Sequence, residues 1–293
     1  MKIVQDVYLI KCPFSAYFTS AVAIVGDTIA LVDTGMPSSP EEAIIPFLRN
    51  LGRDPKEISH IALTHGHFDH CGGARVIKEI SGAEVLIHEA DRGFVEDPGL
   101  IDRELHRRFP DLYPQVGKAT FEAVSVDRAL KDGDRLILGG HEFEVLHTPG
   151  HSKGSVCIVE RKLGLFIAGD SIQGRGERRP LLFHSSSDYL GSMRKLSMEN
   201  PRFLILGHPF PPLKEALLKG KEAISHIEES LKAVEELREK VLEVLRNEGA
   251  LSIQEIPGRI PGIQGVSVGC VLEDFLRDGR VEKKGLLWSL KAS

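Results

Sequence analysis

Cysteine is scarce in this 293-residue chain: there are four, and no two of them form a CxxC pair. This spacing excludes a disulfide-stabilised scaffold and indicates reduced thiols, which are typical of cytoplasmic proteins. No apolar run is long enough to cross a bilayer, because the longest, residues 20–32, is interrupted by a polar turn. The first residues, MKIVQDVYLIKC, lack the pattern of a secretory signal peptide. We therefore predict a cytoplasmic protein with no membrane partner.

An excess of positive charge is also absent, since 37 Lys and Arg stand against 42 Asp and Glu and the net charge is −5. This balance excludes a global basic field for nucleic acid and leaves open only a local patch. Hydrophobic residues make up 42% and charged residues 27%, the usual proportions of a globular protein with a sizeable core. The composition therefore excludes a disordered chain and a collagen-like repeat.

Up to residue 209, short β-branched runs alternate with helical patterns, which predicts an α/β fold. We expect a helix over 40–51, where a serine N-cap and an early proline occur, and another over 71–81. The polar, Arg-rich stretch 91–126 is expected to hold short helices over the top of the domain. Strands are expected at 22–25, 29–32, 61–64, 84–87, 142–146, 156–158, 165–168 and 203–206.

The pattern changes after residue 212, so we place a boundary there between a catalytic domain, 1–212, and a C-terminal part, 213–293. Apolar residues spaced by three or four predict one long helix over 214–248. A second helix over 266–278 and a hairpin around 284–285 follow, which is the layout of a small winged helix. The apolar stripe of the long helix can pack on its own sandwich or on a second copy, so a homodimer through this helix stays open.

The segment Ile61–Gly73, IALTHGHFDHCGG, presents His65, His67, Asp69 and His70 directly after a predicted strand. Residues two apart on an extended segment lie on one side, so the first two histidines can hold one ion. Imidazole and carboxylate ligands suit zinc, iron or manganese. We therefore predict a metal site at the end of this strand.

Three further residues of ligand type, His151, Asp170 and His208, each follow an apolar strand. Strand ends at one edge of a sheet are common places for sites in layered folds. Together with the first cluster, these residues supply two ions with three protein ligands each and one shared carboxylate.

HGHFDH with these three downstream residues, and LVDTG at 31–35, resembles the metallo-β-lactamase superfamily. The resemblance covers residues 1–212 and implies a four-layer αββα sandwich, followed here by the long helix and the winged-helix-like part. It implies two divalent ions, zinc first, with iron or manganese as alternatives. It assigns His65, His67 and His151 to one ion, Asp69, His70 and His208 to the other, Asp170 to both, and Asp33 to the support of the ligands.

The resemblance also implies hydrolysis by a hydroxide held between two metals, with Asp69 orienting it and accepting its proton. The expected substrate is a small ester or thioester, as in the glyoxalase II branch. Two alternatives stay open: a mononuclear iron persulfide dioxygenase, and an endoribonuclease that uses the winged helix to contact nucleic acid.

The substrate is less visible in the sequence than the metal site. The loop after Asp170 is rich in basic residues, and a further lysine follows His151. Basic side chains near a cleft can bind an anionic small-molecule substrate. The candidates for this role are Lys153, Arg175, Arg178 and His184, with Arg179 in the same loop.

Overall fold

The computed structural model describes residues 1–291, which form two facing sheets. The first sheet has seven strands in sequence order; the first four are antiparallel and the rest are parallel. Parallel neighbours need long crossovers, and the helices on this side lie in those crossovers. The strands are β1 (Lys2–Val4), β2 (Val7–Phe14), β3 (Tyr17–Val25), β4 (Ile29–Val32), β5 (Ile58–Leu63), β6 (Glu84–His88) and β7 (Arg128–Leu130).

The second sheet has six strands in the order β13-β12-β11-β10-β9-β8. Only β11 and β12 run parallel, and a helix connects them. Its strands are β8 (Arg135–Leu138), β9 (His141–His147), β10 (Val156–Glu160), β11 (Leu165–Gly169), β12 (Phe203–Leu206) and β13 (Leu217–Lys219).

Helices cover the outer face of each sheet. They are α1 (Ile45–Asn50), α2 (Phe68–Cys71), α3 (Ala74–Ser81), α4 (Arg92–Glu96), α5 (Leu100–Arg108), α6 (Ser186–Ser197), α7 (Lys221–Glu248) and α8 (Gly265–Arg277). A π-helical turn, Pro40–Ile44, precedes α1, and 3₁₀ turns occupy Pro55–Glu57 and Ile256–Arg259. Three short strands, β14 (Leu251–Ser252), β15 (Val281–Lys284) and β16 (Leu287–Leu290), form a small third sheet.

The hydrophobic core consists of three layers. Ile24 and Ile158 represent the layer between the sheets, to which both sheets contribute. Leu48 lies in the layer between the first sheet and its helices. Leu196 and Phe275 lie in the layer between the second sheet and the helices α6 to α8. The predicted αββα sandwich is therefore confirmed.

The start of the long helix was predicted wrongly. The chain from 214 continues into β13, where Leu217 and Leu218 pair with Ile205 and Leu204 of β12. Gly220 has φ +49°, a conformation that interrupts regular structure, and α7 begins at the next residue. The second sheet is therefore completed by a strand from beyond the proposed boundary at 212.

Ser39 also differs from its predicted role as a helix cap. Its backbone is already helical, and its hydroxyl accepts a hydrogen bond from Met36 N–H at 2.9 Å instead of one from the helix. The proline is at the start of the helical turn, as expected.

The apolar stripe of α7 packs within its own chain. Ile227, Val234 and Val241 belong to the same apolar cluster as Leu196 of α6 and Phe275 of α8. The stripe is therefore used within the chain, and a homodimer through this helix stays a prediction. The order of elements after α7 agrees with the prediction, but the winged helix itself stays a prediction. Within the described residues, the structure contains no helix that is both long and apolar enough to cross a membrane.

Candidate metal centre

The metal centre lies where strands of both sheets end. His65 to His70 follow β5, His151 follows β9, Asp170 follows β11 and His208 follows β12. Gly207 is required at this edge, because a Cβ there would lie 2.2 Å from Asp170 Oδ1. All seven predicted ligands are buried except Asp170, whose side chain is 15% exposed. The fold therefore brings together every metal ligand that the sequence predicts.

The ligand atoms form the two groups that the resemblance implies, and within each group they lie within 4.8 Å of one another: His65, His67 and His151 in the first, Asp69, His70 and His208 in the second. Asp170 stands between them. Its Oδ2 lies 3.5 Å from His151 Nε2, and its Oδ1 lies 3.5 Å from His70 Nε2. One carboxylate therefore faces both groups.

The ring nitrogens that face away from the centre have fixed partners. His151 Nδ1–H donates to the Leu181 carbonyl at 2.8 Å, and His208 Nδ1–H donates to the Phe18 carbonyl at 3.1 Å. Because a carbonyl can only accept, each proton must be on Nδ1. The Nε2 lone pair of each ring therefore points into the centre, as metal ligation requires.

The same holds for His70 and His65. His70 Nδ1–H donates to the Asp33 carboxylate at 2.8 Å. His65 Nδ1–H lies 3.1 Å from Thr64 Oγ1, which is free to accept because its own hydrogen goes to Asp33. The Nε2 atoms of His65 and His67 are buried and have no hydrogen-bond partner among the described residues. The orphaned His65 Nε2 faces the first ligand group, and His67 turns its Nδ1 inward, 2.9 Å from His151 Nε2, so the three nitrogens converge as the ligands of a cation do.

The charges of the centre also fit cations. Asp33, Asp69 and Asp170 are carboxylates with little or no exposure, and within residues 1–291 their ion pairs are with histidines only. Uncompensated buried charge is costly. Burial would raise the pKa of Asp69, but His70 and His208 outweigh it and hold that pKa at about 2. Burial would also lower the pKa of His70. The carboxylates of Asp170, Asp33 and Asp69 outweigh this effect and raise that pKa. The centre therefore stabilises positive charge, which metal ions supply.

Three of the five histidines remain neutral, because burial also lowers the pKa of His151. Burial, followed by the neighbouring imidazoles, lowers the pKa of His65 well below its usual value. Burial, followed by His151, lowers the pKa of His67 to about 3. Neutral imidazole is the form that binds metals. The donor set is therefore of the right chemistry for two divalent ions.

A family model, the Metallo-beta-lactamase superfamily, matches residues 15–208. The chain belongs to this superfamily. The matched segment contains all seven candidate ligands. The prediction of a metal-dependent hydrolase of this superfamily is thereby confirmed.

Two curated relatives carry names of hydrolases. The chain is 31% identical over 147 residues to an acyl-coenzyme A thioesterase of Gallus gallus, a match that covers 50% of this chain and 52% of the relative. It is 27% identical over 206 residues to a hydroxyacylglutathione hydrolase of Rhodospirillum rubrum, covering 70% of this chain and 62% of the relative. The matches thus span between half and two thirds of each relative's length.

Solved structures of the superfamily show the same fold. A metallo-beta-lactamase family protein from Thermus thermophilus superposes with a TM-score of 0.77 at 22% identity, over 98% of this chain and 99% of that one. A class B3 di-zinc metallo-beta-lactamase from an Alaskan soil metagenome gives a TM-score of 0.62 at 22% identity, over 82% and 92% of the chains. At this identity the likeness concerns the fold alone.

Asp33, to which the resemblance assigns the support of the ligands, is hydrogen-bonded to the candidate ligand His70. It is buried and accepts hydrogen bonds from Thr64 N–H, Thr64 Oγ1–H and His70 Nδ1–H, each at 2.8 Å. Its φ is +60°, a backbone conformation that few residues other than glycine adopt. The strained backbone and the three bonds fix the orientation of His70.

Asp91 is a second supporting carboxylate, and it was not among the site residues predicted from the sequence. It is fully buried and accepts from Gly66 N–H at 3.0 Å, Ser152 Oγ–H at 2.6 Å and Gly154 N–H at 2.6 Å. These donors flank His65 and His67 on one loop and His151 on another. Asp91 therefore joins the two loops that supply the first ligand group. Its position just after β6, at the sheet edge that carries the candidate ligands, is the signal by which the sequence could have identified it.

Residues 150–154, GHSKG, also match the GxSxG pattern of serine hydrolases. Here the pattern lies between β9 and β10 and not at the start of a helix. The hydroxyl of Ser152 donates to Asp91 and contacts Ser155 Oγ at 2.7 Å. The serine is therefore part of the support of the metal centre.

A cavity of about 780 Å³ opens onto the ligands, a size typical of small-molecule sites. Asp69, Asp170 and His208 lie on its wall. The remaining wall is mostly apolar and comes from β2, α2, α5 and the loops that follow β11 and β12, with Phe14, Phe68, Leu105, Ile172, Phe183 and Phe210 as examples.

The four predicted substrate residues are not all in this cavity. Arg178 lines it, but Lys153 and His184 line a small adjoining pocket beside His67. Arg175 is exposed and its guanidinium is paired with Glu236 of α7. The loop turns this side chain outward, so its predicted contact with substrate is wrong. Arg179, its neighbour in the loop, lines the cavity instead.

Proposed function

We propose that this protein hydrolyses a small ester or thioester with two divalent metal ions, most favourably zinc. His65, His67 and His151 would hold one ion, Asp69, His70 and His208 the other, and Asp170 would contact both. The observation that carries the proposal is the convergence of these seven side chains at the wall of a large cavity, with the outward nitrogens of four of the five histidines fixed. Ligands of this type favour zinc among the common metals.

When bound, such ions would supply Lewis acidity and lower the pKa of water to about 7. The chain's own groups then position the reactants. Asp69 is the ligand whose carboxylate both lines the cavity and lies 3.1 Å from His208 Nε2. It is therefore placed to orient the attacking water and to accept its proton.

The wall of the cavity favours a substrate with an apolar acyl group. Phe14, Phe68 and Phe210 surround the ligand edge and exclude water from it. Exclusion of water strengthens the charge interactions in the centre. Acyl-coenzyme A and hydroxyacylglutathione, named in two relatives, are both thioesters. We therefore favour a thioester within the proposed class.

A mononuclear iron dioxygenase is favoured less. One ion in the first group would leave Asp69, His70 and His208 without a cation, although these three are also buried and close together. The nuclease alternative also loses support, because α8 is largely buried. Asp274 accepts hydrogen bonds from the hydroxyls of Ser185 and Ser186, so the helix faces its own chain and not a duplex.

The test is hydrolysis of short acyl thioesters and p-nitrophenyl esters by the purified full chain. We expect turnover to disappear with a chelator such as 1,10-phenanthroline and to return with added zinc or manganese. Turnover that persists after complete metal removal would contradict the proposal. So would oxygen consumption with a persulfide in place of hydrolysis.

A further inference from the structure

Arg179 differs from the other basic side chains of its loop. It is half-buried in the cavity wall, and its guanidinium lies 4.0 Å from the centre of the Phe210 ring. Arg175 has a carboxylate partner in Glu236, and Arg178 is exposed. For Arg179, no carboxylate among residues 1–291 lies within ion-pair distance. Burial lowers the pKa of this guanidinium, and the charge of Asp170, which lies beyond ion-pair distance, opposes that shift.

The guanidinium is close to the reactive centre. Its stacking partner Phe210 contacts the ligand His208, with ring centres 4.7 Å apart. Tyr17 packs on the other edge of Phe210 at 5.4 Å, which holds the ring in place. One aromatic ring therefore separates Arg179 from the metal ligands.

No charged group near the cavity forms an ion pair with Arg179, and Asp170 on the same wall acts on it only from a longer distance. His226 of α7 lies outside the cavity wall and within the electrostatic reach of Arg179, and burial lowers its pKa to about 4, so it is neutral. The carboxylates of Glu177 and Asp102 line the same cavity. They would repel an anion, so anion binding is not a general property of this wall. The unpaired cation is a local feature.

We propose that Arg179 binds an oxyanion of the substrate, a carboxylate or a phosphate, while the scissile carbonyl lies at the metal ligands. The substrate is then an acidic acyl ester or thioester, with an apolar part that packs on Phe14 and Phe210. The oxyanion of the substrate would offset the cost of burying the guanidinium. The planar guanidinium can donate two parallel hydrogen bonds to such a group. The position of the scissile carbonyl in this inference rests on the proposed function. The binding of the anion by Arg179 rests on the cavity alone.

The first test measures binding and needs no turnover. Calorimetry on the purified full chain compares 4-phenylbutyrate with its neutral isostere, 4-phenylbutanamide. R175Q is the matched control from the same loop. Wild type and R175Q should bind 4-phenylbutyrate more tightly than R179Q by roughly tenfold to a hundredfold, which is the effect of losing a charged hydrogen bond. The amide should bind all three proteins alike. Equal affinity of R175Q and R179Q for the carboxylate would overturn the proposal.

A conservative variant covers a failure of R179Q to fold. R179K keeps the charge and loses the planar fork, so its affinity for 4-phenylbutyrate should be intermediate. An affinity of R179K equal to that of wild type would contradict paired hydrogen bonds from Arg179. Circular dichroism establishes that each variant is folded.

The second test uses turnover and separates the two proposals. Mono-p-nitrophenyl glutarate and p-nitrophenyl pentanoate differ in the terminal carboxylate. Wild type should prefer the glutarate in kcat/KM, and R179Q should lose the preference through KM. A preference that survives in R179Q would count against the anion site. If wild type cleaves neither these esters nor thioesters, the proposed function fails, while the calorimetric result still decides the role of Arg179.

Discussion

At the scale of single residues, the centre depends on where protons are held. His151 and His208 donate from Nδ1 to backbone carbonyls, and His70 donates to Asp33. Each of these bonds makes Nδ1 the protonated nitrogen of the neutral ring, so Nε2 is the atom left to bind a metal. A carbonyl or carboxylate behind each imidazole therefore selects the tautomer that can bind a metal, before any metal arrives.

His67→Ala should abolish binding of one ion and reduce turnover by more than about a hundredfold. This loss exceeds the one expected when a hydrogen-bond partner behind a metal ligand is removed. The fold should persist, because the side chain lies at the cavity wall and has no apolar role in the core. Metal content and rate are the measurements. His60→Ala, a half-exposed histidine on β5, is the matched control. Full turnover of His67→Ala would refute the assignment of the site.

Asp33→Asn should weaken metal binding by about 10–100-fold. Asp33 accepts three hydrogen bonds, and an amide replaces one of its two acceptor oxygens with a donor, which frees His70 to rotate. Titration of the apo-protein with zinc against a chromophoric chelator measures this change. Asp27→Asn, in the exposed turn before β4, should leave the affinity unchanged. An unaltered affinity in Asp33→Asn would mean that His70 is held by other contacts.

At the scale of elements, the site is a set of loops fixed to strand ends. Asp91, after β6, joins the loop after β5 to the loop after β9, because it accepts hydrogen bonds from both. A Cβ on Gly154 would lie 2.7 Å from the side chain of Asp91, so the loops approach as closely as glycine allows.

Asp91→Asn should lower the free energy of unfolding by about 1–3 kcal/mol, because at least one buried donor loses its acceptor. It should also weaken the first metal group, whose loops it joins. Urea unfolding of the apo-protein and zinc titration check the two effects. Asp97→Asn, an exposed aspartate beyond α4, serves as the control. Stability equal to that of the control would contradict this role of Asp91.

These elements also show what the sequence can and cannot predict. The candidate ligands after β5, β11 and β12 were predictable, because each follows an apolar run and its chemistry is unusual. The distinction between Arg175 and Arg179 was not, since both are arginines in one polar loop, and only the fold turns one inward. The start of α7 was missed because Leu217 and Leu218 fit a helical pattern and a strand equally well. Pairing with β12, a contact distant in sequence, decides between them.

At the scale of the whole molecule, the C-terminal part is packed into the sandwich. Arg108 of α5 bonds to Glu273 of α8, and Val266 of α8 lines the cavity. Trp288 of β16 is buried in the same apolar cluster as Leu204 of β12. The part after residue 212 therefore contributes to both the core and the wall of the cavity.

We expect the chain to unfold as one unit, because the apolar cluster is continuous from β12 to β16. Trp288 is the single tryptophan of the sequence, so its fluorescence reports on the C-terminal part, and far-ultraviolet circular dichroism reports on the whole. The two urea transitions should coincide. An earlier fluorescence transition would show that residues 213–293 form a separable domain.

The proposed hydrolase depends most on the presence of two metal ions in one centre. The direct measurement is the number and identity of metal atoms per chain, by elemental analysis of protein purified without chelator and again after reconstitution of the apo-protein. We predict about two zinc or manganese ions per chain, one for each group of three ligands. A single iron per chain, or no metal bound under either condition, would contradict the proposed hydrolase.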